Sequence, residues 1–185
     1  MEKRKVWTKQ NAKVLEELER TGRYIAKKQY IIMDLQEHAE LVLETYEWLV
    51  RHGPDAGSRP SDVQFPVWVS FSQEATMMHE EGTVILALEV DPRIITTINV
   101  AKWGAILNYS YIPSDPRDFL RHQKLLDSYG ISDAKALMTP FYPEIRREIM
   151  GSWDRLFDDS IQLGGPASYG NIWEIRREWI THITR

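Results

Sequence analysis

The chain has 185 residues, 43% of them apolar, which is enough to bury one sizeable core and too little to call for two; a single domain over residues 1–185 is expected. Its 23 basic and 27 acidic residues leave a net charge of -4, so no global positive field draws it to nucleic acid, although a local basic patch stays open. The absence of cysteine excludes disulfides, thiolate metal sites and a thiol nucleophile.

Residues 2–5 are charged and lead into Val6-Trp7-Thr8-Lys9-Gln10 rather than an apolar signal core, and no run approaches membrane-spanning length. A cytoplasmic protein, neither secreted nor embedded, is the expectation. Residues 5–8 read as a short strand, and Thr8 as the cap of a helix whose apolar positions Val14, Leu15 and Leu18 share one side and which ends at Thr21-Gly22. Residues 23–25 and 30–33 are short apolar segments that suit extended structure. From Asp34 the residues Leu35, Ala39, Val42, Tyr46 and Leu49 recur at helical steps until Gly53-Pro54 stops them.

Residues 53–62 are rich in glycine, proline, serine and aspartate and predict a loop. In residues 65–72 large and small side chains alternate as in a strand, with Ser70 and Ser72 on one side and Val69 and Phe71 on the other. A second loop spans residues 73–82. Residues 83–90 form the clearest strand, and Asp91-Pro92-Arg93 turns it into residues 94–98, predicting two adjacent strands. Trp103, Ile106 and Leu107 have helical spacing. Ser114 with Pro116 starts another helix, with Phe119, Leu120 and Leu126 facing inward and Gly130 closing it. Pro143 opens a further helix carrying Ile145, Ile149, Trp153, Leu156 and Phe157, and residues 162–170 form a glycine-rich lead into the tail.

The tail, Asn171-Ile172-Trp173-Glu174-Ile175-Arg176-Arg177-Glu178-Trp179-Ile180, fits strand and helix periods nearly equally, and its aromatic and β-branched content favours strands broken near Arg177. The fold expected is therefore α+β, with a mixed, mostly antiparallel sheet and several packed helices. A carboxylate among tryptophans and isoleucines is costly to desolvate, which makes Glu174 the first candidate for chemistry. The competing explanation is an ion pair with Arg176 or Arg177. The seven tryptophans suit core anchors, or one or two of them the wall of a site for a flat ligand. His38, His52, His79, His122 and His182 share no ligand spacing, so no metal is expected. No phosphate-cradling glycine motif and no nucleophile elbow occurs.

Several of these segments carry a family resemblance. Val6-Trp7-Thr8-Lys9-Gln10, Tyr46-Glu47-Trp48-Leu49-Val50, Pro66-Val67-Trp68, Leu88-Glu89-Val90-Asp91, Trp103-Gly104-Ala105-Ile106-Leu107-Asn108, Ser152-Trp153-Asp154-Arg155-Leu156-Phe157-Asp158 and Trp173-Glu174-Ile175 resemble, in order, the uncharacterised bacterial family called domain of unknown function 3841. That family brings no established activity.

A second resemblance is to ADP-ribosyltransferase-like domains, which open with a strand, a helix and a glycine, carry small or aromatic residues on a second strand, and supply a glutamate from a late strand. It implies NAD as the substrate and Glu174 as the catalytic acid. Thr8 and Gln10 would then bind the cofactor's ribose or amide, Trp68, Ser70 and Ser72 would line the nicotinamide, and Asn171 would steer a nucleic acid or protein acceptor. The chain departs from the better-known groups in offering Thr8 and Gln10 where they place histidine or arginine. It also lacks glutamine or glutamate two positions before Glu174. The rival expectation is a noncatalytic module that binds nucleic acid or a partner protein, in phage–host conflict for instance.

Overall fold

A computed structural model describes residues 2–29, 39–76 and 78–185. The protein is α+β, with mostly antiparallel sheets and, among the described residues, six α-helices. The chain divides into two compact units, one formed by residues 1–97 and 168–185 and the other by residues 98–167.

In the first unit, strand β1 (Arg4–Asn11) pairs antiparallel with β4 (Thr83–Val90) along its whole length, from Arg4 opposite Val90 to Asn11 opposite Thr83. Strand β8 (Ile180–Thr184) adds to the far side of β4, with a register shift between Ala87 and Leu88. A second sheet has the order β3–β6–β5, where β3 is Val67–Val69, β6 Ser168–Ile172 and β5 Thr96–Asn99. The two sheets meet where Trp7 and Ser70 exchange backbone hydrogen bonds of 3.0 and 2.7 Å, so β3 lies between β1 and β6. Strand β2 (Arg23–Tyr24) pairs with β7 (Ile175–Arg176).

Alternation along these strands sends one set of side chains inward. Val6, Val67, Val69, Val84, Leu86, Leu88, Val90, Ile172 and Ile175 form one core with Val14 and Leu18 of helix α1 (Val14–Thr21). That helix ends as its sequence predicts, with Gly22 in the left-handed conformation at φ 73° and its N–H on the Leu18 carbonyl. The predicted cap at Thr8 is overturned. Strand β1 runs on to Asn11, whose Oδ1 accepts from the Lys13 N–H at 3.0 Å, so Thr8 is a strand residue. Helix α2 (Ala39–His52) contributes Leu43 and Val50 to a second, smaller core with Phe65. The predicted positions at residues 30–33 and 34–38 lie outside the described residues.

Two further expectations are corrected here. Strands β4 and β5 are consecutive but belong to different sheets, because the 3-10 turn Pro92–Ile94 redirects the chain. The lead into the tail becomes strand β6 already at Ser168, where Gly170 is required: a Cβ there would stand 2.6 Å from Ile95 Cγ2 and 2.8 Å from Val69 Cγ2. The tail is extended and broken by the 3-10 turn Arg177–Trp179, as its composition suggested.

The second unit is helical: α3 (Val100–Leu107), α4 (Pro116–Tyr129), α5 (Asp133–Met138) and α6 (Pro143–Ser152), followed by the 3-10 turn Trp153–Phe157. Its ends are joined by the Val100 N–H to the Ala167 carbonyl at 2.9 Å and by Asn99 Nδ2 to the Gly165 carbonyl at 3.0 Å. Helix α4 starts on Asp115, which accepts from the N–H groups of Arg117 and Asp118, rather than on Ser114. Phe119 and Leu120 are exposed, and His122 and Leu126 take the inward side. The short helix α5 has no clear signal in the sequence because six residues give no full apolar repeat. Among the described residues no helix is long and apolar enough to cross a membrane.

Candidate active site

Residues 8, 68 and 171, each more than 59 positions from the next, arrive on three neighbouring strands. Thr8 is buried, and its Oγ1 donates to the Trp68 carbonyl at 2.7 Å while accepting from Gln10 Nε2 at 2.8 Å. Trp68 in turn stands opposite Asn171 in the β3–β6 register. Alternation then separates these side chains onto two faces. Thr8 points the same way as Val6, into the core beneath α1, and Gln10 follows it through their hydrogen bond. Trp68 points the opposite way from Val67 and Val69, as does its cross-strand neighbour Asn171, and Tyr46 of α2 meets the Trp68 ring edge-on at 6.0 Å.

The two serines are engaged in a turn. Ser70 is buried, and its hydroxyl lies 2.9 Å from the Ser72 carbonyl and 2.5 Å from Thr76 Oγ1. Ser72 Oγ accepts from the Ala75 N–H at 3.2 Å. Both hydroxyls thus shape the start of the loop after β3. Asn171 is buried, with Nδ2 3.2 Å from the Gly170 carbonyl.

Glu174 lies in the bend between β6 and β7 and is only 9% exposed. Its Oε2 accepts from Arg23 Nε and its Oε1 from Arg176 Nε, the latter at 2.6 Å. Pairing of β2 with β7 sets Arg23 directly opposite Arg176, which is why both guanidinium groups converge on one carboxylate. Arg23 also clasps Asp62 with both terminal nitrogens, at 2.6 and 3.2 Å. Burial alone would raise the Glu174 pKa, but the hydrogen bonds from Arg176 and Arg23 outweigh it and hold the carboxyl below its ordinary range. The group is therefore an anion at neutral pH, with a second lone pair on each oxygen beyond the arginine contacts.

Arg23 and Asp62 were not singled out from the sequence. The only signal for Arg23 was its place just after the helix-ending glycine, where the chain re-enters a strand. Among the described residues no group of histidine, aspartate and glutamate side chains is arranged to hold a metal ion.

The chain is a mixed α+β protein in which β1, β3 and β6 lie side by side and a buried, ionised glutamate follows β6. The chain belongs to the family described as Domain of unknown function (DUF3841), whose model matches residues 5–181. No curated protein and no solved structure matches it.

Proposed function

We propose that this protein is an ADP-ribosyltransferase-like enzyme that binds NAD and passes its ADP-ribose to a nucleic acid or protein acceptor. One observation carries the reading: β3 lies between β1 and β6, so the opening strand, the tryptophan–serine strand and the strand leading to Glu174 are hydrogen-bonded neighbours. In the proposed reaction the C–N bond between nicotinamide and ribose breaks, and nicotinamide leaves with the electron pair. Positive charge builds on the ribose carbon until an acceptor nucleophile bonds to it and releases a proton to water. An ionised Glu174 accepts a hydrogen bond from a ribose hydroxyl and faces that charge, which lowers the barrier. Trp68 and Asn171, sharing one face, supply the stacking surface and the polar group beside it. Thr8 and Gln10 act from beneath, fixing the Trp68 backbone through the Thr8 hydroxyl.

The test is incubation of the protein with NAD and candidate acceptors while nicotinamide release is followed, with Glu174→Gln as the control. Release that falls by about two to three orders of magnitude in the variant supports the reading, as expected for loss of a group aimed at transition-state charge. No turnover with any acceptor, or an unchanged rate in Glu174→Gln, refutes it.

A second reading, a noncatalytic nucleic-acid-binding module, draws on three cation–aromatic pairs in the first unit. Arg4 lies 3.8 Å from the Phe71 ring centre, Lys5 5.5 Å from that of Trp7, and Arg176 5.6 Å from that of Trp179. That reading requires salt-dependent binding of nucleic acid without nicotinamide release.

A further inference from the structure

A cluster of ionisable side chains in the second unit contains none of the candidate site residues. At its centre is His122 of α4, 1% exposed. Its Nδ1 lies 2.9 Å from Glu148 Oε1 on α6 and its Nε2 2.6 Å from Asp133 Oδ1 at the start of α5. The imidazole stacks on the Tyr111 ring with centroids 3.9 Å apart and planes 12° from parallel. Both carboxylates have other donors: the Tyr111 N–H bonds Asp133 Oδ2 at 2.9 Å, and Arg121 Nη2 bonds Glu148 Oε1 at 2.8 Å.

A carboxylate offers only lone pairs, whereas a neutral imidazole carries one N–H and one lone pair. A neutral His122 would therefore set its bare nitrogen against an oxygen of Asp133 or Glu148. With both carboxyls ionised, only the imidazolium satisfies both contacts. We infer that His122 is a standing imidazolium that latches α5 and α6 onto α4, and that the latch opens when rising pH removes its second proton.

The groups facing the latch decide its direction. From its own helix come Asp118 and Arg121; from the segment before α4, Tyr111; from α5, Asp133; from α6, Glu148; and from the following turn, Arg155. The two cations are engaged with Asp118, and Arg121 with Glu148 as well, which leaves Asp133 and Glu148 as the charges in contact with the ring. Burial by itself would lower the His122 pKa, but its hydrogen bonds to Asp133 and Glu148 reverse that and raise it. Burial likewise opposes ionisation of Glu148, and the contacts from Arg121 and His122 overcome it and lower its pKa. A histidine raised in the folded state stabilises it fully below the ordinary imidazole value and loses that contribution as pH climbs through the folded one. The latch is therefore fully closed below the ordinary imidazole value and opens as pH rises through the higher value of the folded state.

The experiment is a pH titration of the 15N-labelled full chain, following the His122 ring nitrogens by long-range proton–nitrogen correlation, with amide exchange of α5 and α6 corrected for intrinsic rates. At pH about 7.5 a free imidazole is roughly nine-tenths neutral. His122 is expected to keep both nitrogens protonated there, and α5 and α6 to lose protection together with its deprotonation. Glu148→Gln, which preserves size and removes the charge, is expected to weaken the proton affinity of His122 by about tenfold or more. A bare ring nitrogen at pH 7.5 overturns the inference, as does α5 and α6 protection that stays constant through the titration.

Discussion

Glu174 and Arg23 provide a prediction that can be worked through in full, because a double-mutant cycle isolates their interaction from everything else each one touches. The Glu174 side chain is 11% exposed and that of Arg23 33%, so the pair is shielded on one side only. A charge-assisted hydrogen bond contributes about 1.5–3 kcal/mol when shielded. Partial exposure of the guanidinium discounts this, and Asp62 keeps Arg23 paired when Glu174 is lost. The coupling energy for Glu174→Gln with Arg23→Gln is therefore expected at about 1–2 kcal/mol. Urea unfolding followed by tryptophan fluorescence measures it for the wild type, both single variants and the double. With a slope of about 2 kcal/mol per molar urea, a loss of about 1–2 kcal/mol lowers the midpoint by about half to one molar. The pH dependence follows from the depressed Glu174 pKa: the contribution is present above the ordinary glutamate value and disappears as pH falls through the lower folded one. A coupling energy below about 0.3 kcal/mol at neutral pH, or one that persists in strong acid, would refute the assignment of this contact as a clamp on an ionised carboxylate.

Three further variants probe the frame around the candidate site and the second unit. Thr8→Val removes the hydroxyl that joins Gln10 to the Trp68 carbonyl and should cost about 1–2 kcal/mol by urea unfolding, with the Gln10 side chain released as a new set of NMR amide signals. Gly170→Ala drives a methyl into Ile95 and Val69 and is expected to cost about 1–3 kcal/mol, visible as a lower melting temperature. Lys102→Met should destabilise the second unit by about 1–3 kcal/mol, because Lys102 Nζ donates to the carbonyls of Arg155 at 3.0 Å and Asp158 at 2.7 Å and each would lose its charged donor, keeping only a backbone N–H at 3.2 Å; chemical denaturation of the variant checks it.

What could be read in the sequence was what local rules decide. The strand at Thr83–Val90, the helix closed by Gly22 and the broken extended tail all follow from composition and period. Inward and outward faces were less legible where polar atoms are satisfied internally. His122 reads as a polar helix position yet is buried by two carboxylates contributed from 11 and 26 residues away, and Phe119 and Leu120 read as core yet are exposed. Thr8 illustrates a different failure. Its residue type suits a helix cap, but the hydroxyl found a carbonyl 60 positions distant, and no local pattern encodes a strand pairing of that span. The environment of Glu174 was half legible: Arg176 was in view as its neighbour, whereas Arg23 reaches it only through the β2–β7 pairing, a contact 151 residues apart.

The ionised state of Glu174 narrows the chemistry open to it. A carboxyl that serves as a general acid must hold a proton near neutral pH, which calls for an apolar site or a neighbouring anion. Glu174 has the reverse surroundings, with a guanidinium on each oxygen. Protonating it would cost both contacts, so proton donation is disfavoured and the roles left are hydrogen-bond acceptance and attraction of positive charge. The same arginines set a limit on the second role, since their charge opposes any cation brought to the carboxylate. An oxocarbenium-like ribose gains most from Glu174 if substrate draws one arginine away, and Arg23 has the alternative ready in its two contacts to Asp62. Under the proposed reaction, Asp62→Asn should therefore slow nicotinamide release by binding Arg23 more firmly to Glu174, while leaving the unfolding midpoint close to wild type because the Asp62 side chain is largely exposed. An Asp62→Asn protein that turns over NAD at the wild-type rate would mean that Arg23 stays on Glu174 throughout, and that the carboxylate acts through its remaining lone pairs alone.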